Sequence, residues 1–313
     1  MEIDLTGKTA IITGAAGGLG KAYALALAGR GAAIVVDDLG WDTTSAGGSS
    51  GLAEAVVDEN RAHGGKAIAN ADSVPTAAGG EAITQAAIDA FGGVDIVINN
   101  AGNQHNALFE NLSDEDIDSV LAVHLKCAFF VTQPAYRLMK RNGYGRIILT
   151  SSQSGIFGNP YRANYGAAKT AMIGLMNVIA QQAPAGVTGN KVFPNAFGSR
   201  MGAPRAQRAD ADFMAEGAKR FHSLAQIMDP KCVAALVVYL ASEQCQATQI
   251  MYSVLGGRYG GIFTGVSKGW LPKGEIPTAE MLAGHIAQID DITEFDQFVS
   301  GFGEMDCVIA RLE

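Results

Sequence analysis

Tyr165 and Lys169 lie four residues apart in a helical pattern, and Ser152 lies 13 residues before the tyrosine. A spacing of four places the phenol and the ammonium group on one face of a helix. A positive charge beside a tyrosine favours the phenolate, so we expect the Tyr165 pKa to fall below its usual value of about 10. Such a phenol can act as a general base toward an alcohol proton. The three residues therefore predict chemistry on hydroxyl or carbonyl groups.

A glycine-rich turn near the amino terminus predicts a site for a dinucleotide. Residues 13–20 read Thr-Gly-Ala-Ala-Gly-Gly-Leu-Gly, between an apolar strand pattern and an alanine-rich helix pattern. Glycines allow a tight turn and let the backbone approach a pyrophosphate at the helix N-terminus. The residues predicted to contact the cofactor here are Thr13, Gly14, Gly18, Leu19 and Gly20.

An acidic residue at the end of the second strand pattern predicts which cofactor binds. Asp38 follows Gly20 by 18 residues, close to the offset of about 20 at which an acid binds the adenosine ribose hydroxyls. A carboxylate there repels the 2′-phosphate of NADP, and no arginine stands beside it, so the predicted cofactor is NAD. Asp37 is the alternative for this role, but the spacing favours Asp38.

Composition excludes several classes of function. The 313-residue chain has a net charge of −8 and no basic stripe, which argues against nucleic acid as a partner. Its four cysteines are scattered without metal-ligand or redox spacing, so no metal site is predicted. Apolar runs are too short for membrane insertion. The N-terminus lacks a signal pattern and the C-terminus lacks a peroxisomal address, so the sequence predicts a cytoplasmic protein.

Strand and helix patterns alternate over most of the chain and predict an α/β fold. We expect a single Rossmann-type doubly wound parallel sheet of about seven strands, with helices on both faces. The predicted strands span 8–13, 32–37, 66–70, 94–99, 145–151, 189–194 and 248–254. The predicted helices span 18–30, 51–63, 79–91, 114–142, 162–182 and 230–242.

The expected organisation is one catalytic domain with an extension. Residues 1–261 form the NAD-binding domain, with a substrate lid at 199–228, because loops longer than about 15 residues are often functional. Met201 and Phe221 in this lid are predicted substrate contacts. Residues 262–313 form a C-terminal extension, packed on the core or on a neighbouring subunit, with short helices at 278–288 and 293–300.

With these motifs assembled, the chain resembles the short-chain dehydrogenase/reductase family over about residues 6–260. The motifs are the glycine turn, Asp72 after the third strand, residues 99–102 (Asn-Asn-Ala-Gly) after the fourth, and Ser152 with Tyr165 and Lys169. Within the family, it is most similar to the dehydrogenase domains of peroxisomal multifunctional enzymes. The stretches that carry this closer similarity are 18–26, 38–40, 143–148, 155–159, 194–196 and 199–201.

The resemblance implies roles for individual residues. Tyr165 is the general acid/base, Ser152 holds the substrate oxygen, and Lys169 binds the nicotinamide ribose. The remaining cofactor contacts that it implies are Asp72, Ser73, Asn100, Ala101, Gly102, Pro194 and Asn195. The resemblance also implies a homo-oligomer, either a tetramer or a dimer.

His124 is a departure from the family pattern. It stands where many members have an asparagine whose main-chain carbonyl holds a water linked to the lysine. We count His124 among the predicted catalytic residues, as part of a proton relay. The alternative, that it only packs and forms hydrogen bonds, stays open.

The expected substrate is a small hydrophobic alcohol or ketone. The apolar-rich lid favours a 17β-hydroxysteroid as the substrate, in a reaction of the type that converts estradiol to estrone. The alternative is a (3R)-3-hydroxyacyl-CoA, for whose phosphates Arg162, Arg200, Arg205 and Arg208 are candidate partners. A catalytically silent NAD-sensing or structural protein is a third possibility, and the presence of Ser152, Tyr165 and Lys169 argues against it.

Overall fold

The computed structural model describes residues 2–40, 51–196, 215, 219, 222–224, 227–272, 274 and 276–312. The chain divides into two compact units, Met1–Gly261 and Ile262–Glu313. Most of the predicted lid at 199–228 lies outside the described residues, and its two predicted substrate contacts, Met201 and Phe221, are both outside them.

The first unit is built on a doubly wound sheet, as predicted. Among the described residues the sheet has eight strands in the order β3-β2-β1-β4-β5-β6-β7-β8. The strands are β1 Thr9–Thr13, β2 Ala33–Asp37, β3 Lys66–Asn70, β4 Ile96–Asn99, β5 Gly145–Thr150, β6 Val187–Asn195, β7 Met251–Leu255 and β8 Arg258–Ile262. Strands β1 to β7 pair in parallel.

Strand β8 is an addition to the seven strands that the sequence predicted. Its residues, Arg-Tyr-Gly-Gly-Ile, lack the continuous apolar run by which the other strands were recognised. The chain enters β8 through Gly256 and Gly257, both of which have positive φ angles, 56° and 77°. Glycine adopts this conformation without steric cost, so two residues suffice to turn the chain from β7 into the edge strand.

Helices cover both faces of the sheet, which explains why its strands are so apolar. Adjacent residues of β1 point to opposite faces: Ile12 joins a core cluster with Leu27 and Val237, and Ile11 joins a second cluster with Val131 and Met172. All residues of β1, β2, β4 and β5 are buried. The α-helices of this unit whose bounds lie within the described residues are α1 Gly18–Ala28, α2 Gly51–Ala62, α3 Ala77–Phe91, α4 Asp114–Leu121, α5 Cys127–Asn142, α6 Ser154–Phe157, α7 Ala163–Gln182 and α8 Pro230–Ala241.

The predicted long helix at 114–142 is interrupted. Ser113 and Asp116 form a capping box that starts α4. Residues Ala122–Lys126 then form a π-helical turn before α5 begins. Short π turns inside α-helices widen the backbone locally and often lie at functional sites. This turn carries His124.

The order of the strands reverses beside β1, whose neighbours are β2 and β4. Chain connections leave the sheet in opposite directions from this point, which opens a crevice at the carboxyl ends of β1 and β4. Ligands of open α/β sheets bind at such switch points. The motifs after β1, β4 and β5 are therefore brought to one edge of the sheet.

The second unit contains helices α9 Ala279–Ile289 and α10 Gly301–Leu312, and an antiparallel pair of short strands, β9 Val266–Ser267 and β10 Phe295–Asp296. The helix predicted at 278–288 is confirmed, but the one predicted at 293–300 is wrong. Phe295 and Asp296 pair with β9, and the Thr293 N–H donates to the Asp291 carboxylate (2.9 Å) in the turn before them. No helix in the described part of the chain is long and apolar enough to cross a membrane.

Candidate active site

The glycine turn after β1 has no room for side chains at two of its positions. Gly14 has a φ of 64°, and a Cβ atom there would lie 2.8 Å from the Cα atom of Ala101. At Gly20 a Cβ atom would lie 2.6 Å from Asn100 Nδ2 and 2.9 Å from the Cα atom of Ala15. Glycine at these positions lets the turn pack against the loop after β4.

Thr13 and Asn100 fasten the ends of β1 and β4 to each other. The Thr13 hydroxyl accepts hydrogen bonds from the backbone N–H groups of Asn100 and Ala101, both at 3.0 Å. The Asn100 side-chain amide donates to the carbonyl groups of Thr13 (3.0 Å) and Gly14 (3.1 Å). The asparagine therefore holds the glycine turn in place, which explains why the two motifs occur together.

Asp38 lies beside the same turn. Its carboxylate accepts hydrogen bonds from the backbone N–H groups of Ala16 (3.0 Å) and Gly40 (2.9 Å). Asp37, the alternative in the sequence, is almost fully buried at 1% exposure. Burial, together with the negative charges of Asp38 and Asp72, raises the Asp37 pKa well above its usual range. Asp37 therefore holds its proton more strongly than an ordinary aspartate, and the side chain that hydrogen-bonds with the turn is that of Asp38.

The other predicted cofactor contacts also follow strand ends. Asp72 comes after β3, where it exchanges hydrogen bonds with Asn70, and the exposed Ser73 follows it. Pro194 and Asn195 are the last residues of β6. Leu19 lies in α1, which begins at Gly18 without a side-chain cap or an acidic residue in its first turn. The free N–H groups of this helix end suit a pyrophosphate.

Ser152, Tyr165 and Lys169 meet where β5 and α7 face each other. Ser152 follows β5, where its side chain acts to lower the Tyr165 pKa and its hydroxyl accepts from the Ser154 N–H (3.2 Å). Tyr165 and Lys169 are both buried. The Lys169 ammonium lies 5.6 Å from the centre of the Tyr165 ring and donates to the Thr150 carbonyl group at 2.6 Å. The structure thus brings the three predicted residues together.

The charge state of this cluster differs from the one predicted. Burial raises the Tyr165 pKa above 10, while hydrogen bonds from Ser152 and Gln104 and the charge of Arg162 act in the opposite direction. Burial also lowers the Lys169 pKa to about 7. The expectation that Lys169 brings the tyrosine pKa below 10 is therefore wrong for the protein alone. The reason is that the lysine is itself desolvated and directed to Thr150.

His124 links the π-helical turn to the loop after β4. Its Nε2 atom lies 2.8 Å from the Asn103 carbonyl oxygen and 3.2 Å from the Asn103 backbone nitrogen. Its ring meets the Tyr165 ring edge-on, with 5.1 Å between centres. Burial, then the charge of Lys169, lowers the His124 pKa well below its usual range. The imidazole is therefore neutral, and its buried Nδ1 atom has no partner among the described residues.

Sequence reasoning missed Gln104. This residue lies two positions after Gly102, and its side chain acts to lower the Tyr165 pKa. Its neighbour Asn103 donates from its side chain to the Ser119 hydroxyl group at 2.8 Å. The only signal in the sequence is the position of Gln104, directly after the motif that follows β4. The loop that carries Gln104 is fastened to the start of α7, because the Asn164 side chain donates to the His105 carbonyl group at 3.0 Å.

The arrangement suits hydride transfer between a dinucleotide and an alcohol or ketone. The close-packed glycine turn, the uncapped start of α1 and the Asp38 carboxylate fit the phosphates and the ribose of such a cofactor. Tyr165 and Ser152 offer two hydroxyl groups to one substrate oxygen. No cluster of metal-ligating side chains occurs among the residues that the structure describes.

Comparisons with known proteins agree with this geometry. A family model described as short chain dehydrogenase matches residues 8–210. Peroxisomal multifunctional enzyme type 2 of Mus musculus is 42% identical over 268 residues, 85% of this chain and 32% of that protein. A hydroxyacyl-CoA dehydrogenase of Mycobacterium tuberculosis is 35% identical over 250 residues, 76% of this chain and 74% of that protein. The resemblance predicted from the sequence is confirmed.

A solved structure extends the similarity along the whole chain. Full-length peroxisomal multifunctional enzyme type 2 of Drosophila melanogaster matches with a TM-score of 0.77 and 29% identity, over 99% of this chain and 50% of that one. The chain therefore spans about a third of the mouse protein and about half of the Drosophila chain.

Proposed function

The chain belongs to the short-chain dehydrogenase family, and from that premise we propose that it is an NAD-dependent dehydrogenase of 3-hydroxyacyl thioesters. It interconverts a secondary alcohol at C3 and the corresponding ketone. The observation that carries the proposal is the cluster of Ser152, Tyr165 and Lys169 beside the glycine turn. A silent sensor or a structural protein would have no use for the half-buried Ser152 hydroxyl and the buried Tyr165 hydroxyl at this place.

The substrate class rests on the relatives. The sequence favoured a 17β-hydroxysteroid because of the apolar lid, but most of that lid lies outside the described residues. One relative, 35% identical, is named a hydroxyacyl-CoA dehydrogenase. This name supports the thioester alternative over the steroid, and a 3-hydroxyacyl group also presents the secondary alcohol that the hydroxyl pair requires.

In the proposed mechanism, Tyr165 Oη moves the proton. In the oxidative direction it takes the proton from the C3 hydroxyl, and in the reductive direction it returns a proton to the ketone oxygen. Ser152 Oγ donates to the same substrate oxygen and holds it in line with the tyrosine. Because burial favours the neutral phenol, Tyr165 is ready as the acid for reduction, and oxidation needs a stabilised phenolate.

NAD, when bound, supplies the hydride acceptor and a positive charge that favours the phenolate. The residues that would hold it are the predicted set: the turn at 13–20, Asp38, Asp72, Ser73, Asn100, Ala101, Gly102, Pro194, Asn195, Tyr165 and Lys169. The Lys169 ammonium group would then donate both to the Thr150 carbonyl group and to the nicotinamide ribose. Asp38 would accept from the adenosine ribose hydroxyls and disfavour NADP.

His124 acts through its neighbours in this proposal. Its neutral ring fixes Asn103 and thereby the loop that follows β4, while its edge supports the Tyr165 ring.

A homo-oligomer remains part of the proposal. A relative that is 42% identical over 268 residues is named a peroxisomal enzyme, so the cytoplasmic location stays a prediction from sequence.

The experiment that tests the proposal measures NADH formation at 340 nm with (3R)-hydroxybutyryl-CoA and with estradiol in parallel, using NAD and NADP. Turnover of the thioester with NAD is expected. Turnover of estradiol alone would restore the steroid interpretation, and faster turnover with NADP would contradict the role of Asp38.

A further inference from the structure

Asp37 is a buried acid that the proposed mechanism does not use. It is the last residue of β2, and it pairs in register with Thr13 of β1 and with Asn70 of β3. Residues in register on parallel strands point to the same face of a sheet. The three side chains therefore form a row across the carboxyl ends of these strands, and Asp37 in its middle is only 1% exposed.

The neighbours of Asp37 in this row form hydrogen bonds with other groups. The Thr13 hydroxyl accepts from two backbone N–H groups of the segment after β4. The Asn70 amide group donates to the Asp72 carboxylate at 2.9 Å, and the Asn70 side-chain carbonyl accepts from the Asp72 N–H at 2.9 Å. Within the described residues, no group hydrogen-bonds with the buried Asp37 Oδ1 atom.

The charged groups near Asp37 are acids. Asp38 follows it directly, and Asp72 is bonded to its neighbour in the row. The helices on this face of the sheet are α3 and α5, and the side chains that they bury include one ionisable group, the Cys127 thiol. Among the ion pairs of the described residues, none includes Asp37.

An ionised carboxylate at this place would have no compensation. Burial of a charge is costly unless hydrogen bonds or an opposite charge offset the lost hydration, and two further carboxylates nearby add to the cost. In agreement with these contacts, burial and the charges of Asp38 and Asp72 raise the Asp37 pKa well above its usual range. Asp37 therefore keeps its proton at pH values at which an ordinary aspartate has lost it.

The backbone of Asp37 is fastened to the turn that suits the pyrophosphate. The Asp37 carbonyl group accepts from the Ala15 N–H at 3.0 Å, and the carboxylate of the next residue, Asp38, accepts from the Ala16 N–H at 3.0 Å. A dinucleotide that is bound by this turn and by Asp38 brings its negatively charged pyrophosphate to the same end of the sheet.

A pyrophosphate and an ionised Asp37 repel each other, and a buried site strengthens this repulsion relative to water. Binding and protonation are then linked, because each favours the other by the same factor. The sign follows from the raised pKa. The proton is present at low pH and is lost as the pH rises through the pKa of the folded protein, so cofactor affinity falls in that direction.

We propose that Asp37 is a proton-carrying group of the cofactor site: the chain binds its dinucleotide with Asp37 protonated, and loss of this proton weakens binding. The inference rests on the cofactor part of the proposed function. This proton is distinct from the one that Tyr165 moves, because β1 and β4 separate β2 from β5, the strand that leads to Ser152.

The first test measures the NADH dissociation constant by fluorescence titration from pH 6 to pH 10. The variant is Asp37→Asn, which keeps the shape of the side chain and cannot ionise. Asp58→Asn is the matched control, since it removes the same charge from an exposed position of α2. Lys169, whose pKa is lowered to about 7, also titrates in this range, so the informative quantity is the ratio of wild type to Asp37→Asn.

The expected result is a ratio that changes with pH. At pH 6 wild type and Asp37→Asn should bind NADH within about threefold of each other, and at pH 10 wild type should bind at least about tenfold more weakly than the variant. Asp58→Asn should follow wild type throughout. A ratio that stays constant from pH 6 to pH 10 would overturn the proposal.

The second test observes the proton directly, by infrared spectroscopy of the NADH complex. Wild type at neutral pH should show the carbonyl stretch of a protonated carboxyl group that Asp37→Asn lacks, and this band should vanish over the pH range in which the affinity falls. Absence of the band would also overturn the proposal. Urea unfolding checks that the variant is folded, and Asp37→Ser takes its place if the asparagine variant is not.

The two levels of the account fail in different ways. A wild-type protein that binds no NADH at any pH would contradict the proposed function itself. A wild-type protein that binds NADH, with a constant ratio to Asp37→Asn, would contradict the role of Asp37 alone.

Discussion

A single methyl group at Gly20 should damage both the fold and the cofactor site. In Gly20→Ala the added carbon would lie 2.6 Å from Asn100 Nδ2 and 2.9 Å from the Cα atom of Ala15, and closer still to the Gly14 carbonyl oxygen. Two of these three atoms belong to the backbone, so the strain cannot be relieved by rotating a side chain. The turn must move away from Asn100.

The size of the effect follows from two opposing contributions. Overpacking a tight site costs about 1–3 kcal/mol and sometimes more. Alanine gains up to about 1 kcal/mol over glycine in a helix. We therefore expect Gly20→Ala to lower the free energy of unfolding by about 2 kcal/mol. Because Asn100 holds Thr13 and Gly14, we also expect NADH affinity to fall about tenfold or more.

Urea unfolding and NADH fluorescence titration measure the two effects. Gly93→Ala is the matched control, since a Cβ atom at Gly93 would meet no atom within 4 Å and its φ is not positive. That variant should gain about 0.4–1 kcal/mol through the unfolded state and bind NADH normally. A Gly20→Ala protein that is as stable as wild type and binds NADH with unchanged affinity would refute the close packing described for the turn.

Three further predictions concern charged groups at the site. Asp38→Asn should reduce the preference for NAD over NADP about tenfold or more, measured as a ratio of kcat/KM, because it removes the carboxylate that repels a 2′-phosphate. Asp37→Asn should leave that preference unchanged and stabilise the protein more at pH 8 than at pH 4 in urea unfolding. The Asp37 pKa is higher in the folded protein than its value of 3.8 in the unfolded chain, so wild-type stability falls as the pH rises above 3.8. The asparagine variant does not suffer this loss. Lys169→Met should stabilise the cofactor-free protein, by up to about 5 kcal/mol at pH 6, with the gain shrinking toward pH 10. Between pH 7 and 10.5 the unfolded chain keeps the lysine proton while the folded chain releases it, so wild-type stability rises with pH over this window. A gain in stability that does not change with pH would contradict the lowered Lys169 pKa.

Sequence patterns predicted the parts of the fold that depend on strong local signals. Continuous apolar runs identified the buried strands, and a strand at 66–70 was placed correctly at both ends. Glycine spacing identified the turn, because no other residue fits beside the Ala101 backbone at Gly14. Strand β8 escaped because an edge strand needs no apolar run. The helix expected at 293–300 was wrong because pairing with β9 outweighs the weak helical preference of Phe295 and Asp296.

The candidate site shows the same division. The positions of Ser152, Tyr165 and Lys169 could be predicted from spacing. Tyr165 and Lys169 lie on one helix, and Ser152 follows the end of one strand. The tyrosine pKa could not, because it depends on how deeply the fold buries Tyr165 and on where the Lys169 ammonium points. Gln104 escaped because its effect on the Tyr165 pKa depends on how the loop after β4 folds, which leaves no periodic signal in the sequence.

The central claim is that Tyr165 Oη moves the proton of a 3-hydroxyacyl substrate. The most direct measurement is single-turnover NADH formation from (3R)-hydroxybutyryl-CoA by wild type and by Tyr165→Phe, with NADH affinity and unfolding checked for both. The account predicts turnover by wild type and a rate at least about 10²-fold lower in the variant, with the cofactor still bound. A Tyr165→Phe enzyme that forms NADH at the wild-type rate would contradict it.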